Sequence, residues 1–164
     1  MTDKIKKARQ FAIEKHGNQQ YGNDPYIVHL DLVYEVAQCY GFGELIGICS
    51  YLHDVLEDTS CTFEELWQEF GWEVAYLVFL VTDETGQNRS ERKQKTYEKT
   101  ILDSRAVVIK LCDRIANVRS SKKNNDKLFR MYKKEHESFT VGLKLNVRTG
   151  YINNLVNELN KLFE

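Results

Sequence analysis

The chain has 164 residues, a net charge of −1, and acidic and basic residues that are well mixed. This length is sufficient for one domain with a buried core, and the charge argues against a nucleic-acid-binding face of the usual basic kind. The four cysteines lie far from zinc-ligand spacing, and neither a signal peptide nor an apolar run of about 20 residues is present, so we expect a cytoplasmic protein without a membrane span.

Apolar spacings of three and four residues recur along nearly the whole chain. Alternation with period two is rare, so the sequence predicts an all-α protein. Thr2 or Asp3 can cap a first helix that runs to about His16.

Residues 17–23 are rich in Gly, Asn and Gln and predict a loop. Asp24-Pro25 then predicts the start of the second helix, with the aspartate as N-cap and the proline in the first helical position. This helix ends at Gly41 and carries His29 on the side of its apolar residues, so its imidazole is expected to face inward.

A third helix begins at about Gly43 and ends in a cluster of polar groups, His53-Asp54 and Glu57-Asp58. If the segment is helical, Glu57 lies over His53 and Asp58 over Asp54, because residues four apart share a helix face. Burying such a cluster is costly without a cation or hydrogen-bond partners. This cost is the first reason to expect a metal ion.

The middle of the chain predicts two further helices. Thr62 opens a capping box, and its helix ends near Gly71. Residues 72–81 are apolar on nearly all sides and predict a buried helix. After a polar loop come Arg92 and Lys93, which either line the rim of a pocket or are ordinary surface residues.

Residues 106–117 are apolar nearly all round and predict a central helix. Asp113 and Asn117 lie four apart on it and therefore point the same way. A last amphipathic helix, from about Arg148 to Phe163, is predicted to close the core. We expect residues 1–164 to form a single domain in which 121–164 cover the part that carries the motifs.

Polar residues from three separate helices are thus predicted to face the interior of a helical domain. Two imidazoles with several carboxylates suit Mn²⁺, Fe²⁺ or Zn²⁺ better than Ca²⁺, which prefers an all-oxygen shell. A hydrogen-bonded core histidine would explain His29 alone, but not the whole set. The set comprises His29, His53, Asp54, Glu57, Asp58, Asp113 and Asn117.

Seven short motifs between about residues 8 and 120 resemble the HD-domain metal-dependent phosphohydrolases. The resemblance is to the hydrolase domain of Rel/SpoT enzymes and to their small stand-alone relatives, including the metazoan SpoT homologue. The motifs are His16-x-x-Gln19, Pro25-Tyr26-Ile27-x-His29, Leu52-His53-Asp54-Val55-x-Glu57-Asp58-Thr59, Phe70-Gly71-x-x-Val74, Val81-Thr82, Arg92-Lys93 and Lys110-Leu111-x-Asp113-Arg114-x-x-Asn117-x-Arg119.

The resemblance implies an HD-domain helical bundle that removes pyrophosphate from the 3′ position of ppGpp or pppGpp. It implies that Glu57 and Asp58 orient and deprotonate the attacking water. It also implies that Asn117 contacts the substrate ribose or phosphate. From their position after the polar loop, Arg92 and Lys93 are candidate substrate-binding residues. One Mn²⁺ is implied, with His29, His53, Asp54 and Asp113 as its ligands.

The loop before Pro25 departs from the family pattern. Family members carry an Arg-Lys pair there that helps to hold the nucleotide, whereas Gln19 to Asp24 contain no basic residue. Tyr21 is a candidate to stack on the base instead. The residues after His29 also differ, since Leu30 stands where the family usually has proline.

Three functions therefore remain open at the level of sequence. The first is an alarmone pyrophosphohydrolase with a small-molecule nucleotide substrate. The second is a phosphatase for another nucleotide, such as ppApp, NADPH at its 2′-phosphate or a nucleoside monophosphate. The third is a metal- and nucleotide-binding sensor without turnover, which Glu57 and Asp58 argue against because a binding site needs no water-activating pair. No synthetase domain is expected.

Overall fold

The computed structural model describes residues 1–147 and 150–164 and confirms the all-α prediction. A short hairpin of β1 (Gln20–Tyr21) and β2 (Asp24–Pro25) interrupts the helices, and a 3₁₀ turn spans Leu145–Val147. Within the two described ranges, no helix combines the length and apolarity needed to cross a bilayer. The helices are α1 (Asp3–His16), α2 (Ile27–Cys39), α3 (Glu44–Leu52), α4 (Val55–Asp58), α5 (Phe63–Phe70), α6 (Trp72–Val81), α7 (Arg89–Thr100), α8 (Ser104–Asn124), α9 (Asp126–Gly142) and α10 (Tyr151–Leu162).

Helix α8 is the centre of the fold and packs against α2, α3, α6, α7, α9 and α10. Val107, Val108, Ile109 and Leu111 are all buried, which confirms that residues 106–117 form a central helix. An apolar surface on every side allows a helix to be enclosed in this way. The buried side chains of α8 are therefore held in place by six other helices.

The predicted helix boundaries at Thr2, Thr62 and Gly71 agree with the structure, and each is set by a local cap. The Thr2 hydroxyl accepts from the N–H of Ile5 (3.4 Å) at the start of α1, and the Thr62 hydroxyl accepts from the N–H of Glu65 (3.2 Å) at the start of α5. Gly71 ends α5 with a φ of +86°, a conformation that glycine adopts without steric cost. The predicted start of the last helix at Arg148 lies outside the described residues.

The prediction that Asp24-Pro25 starts the second helix is wrong. Both residues lie in β2, where Pro25 pairs with Gln20 and Asp24 pairs with Tyr21, and α2 begins at Ile27. Gly22, the first residue of the two-residue connection, has a φ of +66° and lets the chain reverse. Proline has no N–H to donate, and an edge strand tolerates this as well as a first helical turn does.

The polar cluster in the centre of the chain does not lie on one continuous helix. Helix α3 ends at Leu52, and Asp54 acts as the N-cap residue of the separate four-residue helix α4. The Asp54 carbonyl accepts from the N–H groups of Glu57 (3.1 Å) and Asp58 (2.9 Å). His53 and Asp54 therefore occupy a junction between two helices.

Candidate active site

The four residues predicted as metal ligands come together. His29 comes from α2, His53 and Asp54 from the junction of α3 and α4, and Asp113 from α8. The Nε2 atom of His53 lies 3.0 Å from Oδ2 of Asp54 and 3.7 Å from Oδ1 of Asp113. The Nε2 atom of His29 lies 3.5 and 3.4 Å from the same two oxygens. Both imidazoles thus present one nitrogen to a shared pair of carboxylates.

The surroundings fix the direction of these ligand atoms. Nδ1 of His53 is 2.8 Å from the carbonyl of Ser50, which can only accept, so the ring proton lies on Nδ1 and the lone pair on Nε2. This buried Nε2 faces the two carboxylates but makes no well-aligned hydrogen bond in the described part of the chain. The Tyr26 hydroxyl donates to Oδ2 of Asp54 (2.6 Å) and orients that carboxylate. Such partners of the ligands are typical of metal sites.

The two carboxylates of the cluster favour positive charge on the groups around them. Burial opposes ionisation of Asp54 and Asp113, but the two imidazoles hold the pKa of each carboxyl below its usual value. Burial likewise opposes protonation of His29 and His53, and the same carboxylates outweigh it and raise the pKa of both rings. A divalent cation would supply the charge that protons supply otherwise.

The donor set fits a single divalent transition ion. His29, His53 and Asp113 each offer one ligand atom, and these atoms lie within 4.8 Å of one another, with Asp54 beside them. Imidazole nitrogen combined with carboxylate oxygen suits Mn²⁺, Fe²⁺ or Zn²⁺. The described residues therefore contain a candidate His/Asp metal site between central helices.

Glu57 and Asp58 lie on α4, directly after the candidate ligands His53 and Asp54, and both are exposed to solvent. Glu57 accepts from the N–H of Asp83 (2.9 Å), and Asp58 accepts from the side-chain amide of Gln19 (2.9 Å). Partial desolvation and the charge of Asp83 raise the pKa of Glu57. A carboxylate with a raised pKa beside a cation site is suited to accept a proton from water.

Asp83, whose N–H binds Glu57, lies in a cluster of largely buried charged groups. The Asp83 carboxylate lies 2.6 Å from the ammonium nitrogen of Lys93 and 3.5 Å from that of Lys110. Lys110 also donates to the carbonyl of Val81 (2.7 Å). Burial opposes ionisation of Asp83, but the two ammonium groups outweigh it and lower the pKa of the carboxyl. The turn after α6 is thereby fixed, and with it the N–H that holds Glu57.

Replacing Lys110 by methionine is expected to lower the free energy of unfolding by about 3–5 kcal/mol, because it leaves a buried carboxylate with one partner fewer. The carbonyl of Val81 also loses its donor. Urea denaturation measures the change, and Lys123→Met, on the exposed end of the same helix, is the control, expected within about 0.5 kcal/mol of the parent. Equal stability of the two variants would contradict this account.

Two of the predicted substrate-binding residues lie at the cluster. The side-chain amide of Asn117 donates to Asp113, and its oxygen accepts from the Tyr21 hydroxyl (3.0 Å). The Tyr21 ring stacks on His29 with 4.8 Å between ring centroids. The β-hairpin thus covers one side of the candidate metal site with an aromatic ring.

The other two predicted substrate-binding residues lie on α7. The ammonium group of Lys93 is engaged by Asp83, and burial together with the nearby Lys110 lowers the pKa of Lys93. Arg92 is half-buried and packs against Gly86. Lys93 therefore reaches Asp83, next to Glu57, whereas Asn117 and Tyr21 contact the candidate ligands Asp113 and His29.

Several residues of the site carry roles that the sequence alone did not assign. Tyr26 orients Asp54, and Asp83 with Lys110 supports Glu57. Lys110 could have been singled out from the sequence, because a lysine in the middle of an apolar helix needs a buried partner. His16 and Gln19 belong to one of the motifs that carry the family resemblance, but their contacts with the site depend on tertiary structure.

A groove of about 520 Å³ opens beside Tyr21, between the hairpin, α2 and the end of α8. Among the described residues its lining includes Asp24, Ser120, Asn124 and Leu128 but no lysine or arginine. Apart from the Asp24 carboxylate these groups are uncharged, and a lining without cations suits the uncharged part of a ligand better than its phosphates.

Comparison with known proteins identifies the domain. The HD domain family model matches residues 8–151. The guanosine-3′,5′-bis(diphosphate) 3′-pyrophosphohydrolase of Aquifex aeolicus is 39% identical over 125 residues, 73% of this chain but 18% of that protein. The chain thus spans less than a fifth of that relative's length.

Smaller relatives match over most of their length. The guanosine-3′,5′-bis(diphosphate) 3′-pyrophosphohydrolase MESH1 of Drosophila melanogaster is 33% identical over 129 residues, 74% of this chain and 71% of that protein. A solved structure, described as a metazoan ortholog of SpoT that hydrolyzes ppGpp, superposes with a TM-score of 0.84 at 28% identity, covering 99% of this chain and 95% of that one. The chain belongs to the HD-domain family, with MESH1 and SpoT-type proteins among its relatives.

Proposed function

We propose that the protein is a metal-dependent hydrolase that removes pyrophosphate from the 3′ position of ppGpp or pppGpp. The observation that carries the proposal is the convergence of two imidazoles and two carboxylates next to the acidic pair Glu57-Asp58. The relatives named for 3′-pyrophosphohydrolase activity on guanosine-3′,5′-bis(diphosphate) support the choice of substrate.

In this proposal one Mn²⁺, or Fe²⁺ or Zn²⁺ in its place, is held by a four-residue site. The bound ion would polarise a phosphoryl oxygen and bring the pKa of a coordinated water toward neutrality. The Nδ1–H of His53 supports the assignment, because its bond to Ser50 leaves Nε2 free to act as a ligand. The ligands are His29, His53, Asp54 and Asp113.

Glu57 and Asp58 supply the proton chemistry. Glu57 accepts the proton of the attacking water, and its raised pKa brings it closer to the working pH of a general base. Asp58 keeps one carboxylate oxygen for the same water while Gln19 occupies the other. The two groups thereby orient the water as well as deprotonate it.

Asn117 and Tyr21 hold the nucleoside side of the substrate. The amide of Asn117 is placed to reach a ribose hydroxyl or a phosphate once Tyr21 releases its oxygen. Tyr21 stacks on the base in the groove beside it, which is lined by uncharged groups apart from Asp24. Arg92 and Lys93 contribute positive charge for the phosphates from α7.

Residues 1–164 act as a single HD domain in this proposal, and the C-terminal helices close it. Helices α9 and α10 pack against α8, which carries Asp113. From α9, Tyr132 and Phe139 lie against the guanidinium of Arg114, 4.7 and 4.5 Å from their ring centroids. These contacts hold the helix that supplies a metal ligand.

One observation favours a second candidate function. The hairpin before α2 carries no basic residue, so the nucleotide groove has fewer cations than the Arg-Lys loop of the Rel/SpoT pattern would supply. A substrate with fewer phosphates would need less positive charge. A phosphatase acting on NADPH or a nucleoside monophosphate is therefore the alternative.

A hydrolysis panel separates these functions. Metal-stripped protein, with and without Mn²⁺, is assayed on ppGpp, pppGpp, ppApp, NADPH and nucleoside monophosphates, and pyrophosphate and orthophosphate are measured separately. We expect Mn²⁺-dependent release of pyrophosphate from ppGpp or pppGpp. Orthophosphate as the only product would favour the phosphatase, and binding without any turnover would favour a sensor.

A further inference from the structure

We propose that Gln19 is a positioning residue for Asp58 and that His16 sets the orientation of the Gln19 amide. The inference rests on the proposed function, because it assigns Asp58 to water activation. It concerns a chain of side-chain contacts that runs from the buried end of α1 to the exposed end of α4.

The contacts form an unbroken path. Nδ1 of His16 lies 2.8 Å from Oε1 of Gln19, and Nε2 of Gln19 donates to Oδ2 of Asp58 at 2.9 Å. The Gln19 backbone is fixed as well, since its N–H donates to the His16 carbonyl (2.9 Å) and its carbonyl accepts from Tyr26 (3.0 Å). Gln19 therefore has little freedom to turn away from the site.

The chemistry of the three side chains determines the donor and the acceptor of each hydrogen bond. An ionised carboxylate only accepts hydrogen bonds, so the NH₂ group of Gln19 must face Asp58. Its oxygen then faces His16, and the ring must donate from Nδ1. His16 thus holds its proton on Nδ1, and Nε2 is left buried without a hydrogen-bond partner in the described residues.

The ring that sets this orientation is itself held firmly. His16 is 7% exposed, and it stacks on Tyr26 with 4.4 Å between centroids. The Tyr26 hydroxyl in turn donates to the metal-ligand candidate Asp54. The stacked pair of rings therefore orients Asp54 through one member and Asp58 through the other.

Asp58 needs such a partner because of its position. It is an exposed residue at the end of a four-residue helix, where a carboxylate can adopt several rotamers. Gln19 fixes Oδ2 and leaves Oδ1 available for water. Partners that orient metal ligands contribute about 10–100-fold to activity, and we expect an effect at the lower end of that range for a partner that orients Asp58.

The first test is a double-mutant comparison. We expect Gln19→Leu to lower kcat for ppGpp about tenfold, with KM changed less than about twofold and the bound metal unchanged. In an Asp58→Asn background, the same change should cost less than about twofold, because the carboxylate that Gln19 orients is gone. Gln20→Leu, the exposed neighbour on β1, is the matched control and should retain full activity.

The second test needs no activity. Nitrogen-15 NMR of the histidine rings is expected to identify the Nδ1-protonated tautomer of His16 in the parent and its loss of preference in Gln19→Leu. His16→Asn, which keeps a donor near the position of Nδ1, should retain more activity than His16→Leu.

Each outcome is decisive for the positioning role. An equal loss of activity from Gln19→Leu in both backgrounds, or an Nε2-protonated His16 in the parent, would overturn it. Full activity of Asp58→Asn would remove Asp58 from water activation, whereas no hydrolysis by the parent protein would overturn the proposed function. The NMR result would then still decide whether His16 sets the Gln19 amide.

Discussion

Replacing Asp54 by asparagine is expected to abolish metal binding and to slow hydrolysis of ppGpp by about 10³-fold or more, since a bound ion contributes several kcal/mol of charge stabilisation. Asp54 lies within 3.5 Å of both Nε2 atoms, so the loss of its charge weakens the whole cluster. The Tyr26 hydroxyl can still donate to the amide oxygen, so the local structure should persist. Metal content by mass spectrometry and the rate of pyrophosphate release measure the two effects.

A thermal melt distinguishes loss of the ion from loss of the fold. Parent protein should gain in Tm when Mn²⁺ is added, because a ligand that binds only the native state stabilises it. The asparagine variant should fold but gain nothing. Asp126→Asn, which removes an exposed carboxylate on α9, is the control and should behave like the parent. A variant that keeps its metal and its activity would remove Asp54 from the site.

Glu57→Gln is expected to keep the metal and to slow turnover by about 10²–10⁴-fold, the usual contribution of a general base. Desolvation raises the pKa of Glu57, so in the parent the rate should fall as the pH drops through a value above that of an ordinary glutamate. Below that pH the carboxyl is protonated and cannot accept a proton. The variant should lose this acidic limb of the pH profile.

The control for Glu57→Gln is Glu64→Gln, an exposed glutamate on α5 that accepts from Gln68. It should leave the rate and the pH profile unchanged. If Glu57→Gln turned over at the parent rate with its metal in place, the proton would have to go elsewhere. Asp58 would then be the remaining carboxylate next to the ligands.

The side chains that meet at the site were predictable where helical periodicity governs them. Asp113 and Asn117 share a face of α8 as their spacing predicted, and His29 faces inward from α2. The break between α3 and α4 was not predictable from periodicity, because it coincides with the bond from the His53 ring to the Ser50 carbonyl. That bond depends on the local fold, not on spacing.

The wrong prediction at Asp24-Pro25 arises because this dipeptide is compatible with two structures. Asp24-Pro25 is equally compatible with a helix start and with the edge strand of a hairpin, and the left-handed Gly22 decides for the hairpin. The partners of Lys93 and Gln19 lie on other elements, so only the tertiary structure brings Lys93 to Asp83 and Gln19 to Asp58.

One Mn²⁺ titration of metal-stripped protein tests the central claim most directly, with bound metal and pyrophosphate release from ppGpp measured at every point. The account predicts that the metal-stripped protein is inactive and that both quantities rise together and saturate at one ion per chain. Turnover at the full rate before any metal is bound would contradict it. So would metal binding that saturates at one ion while ppGpp remains intact.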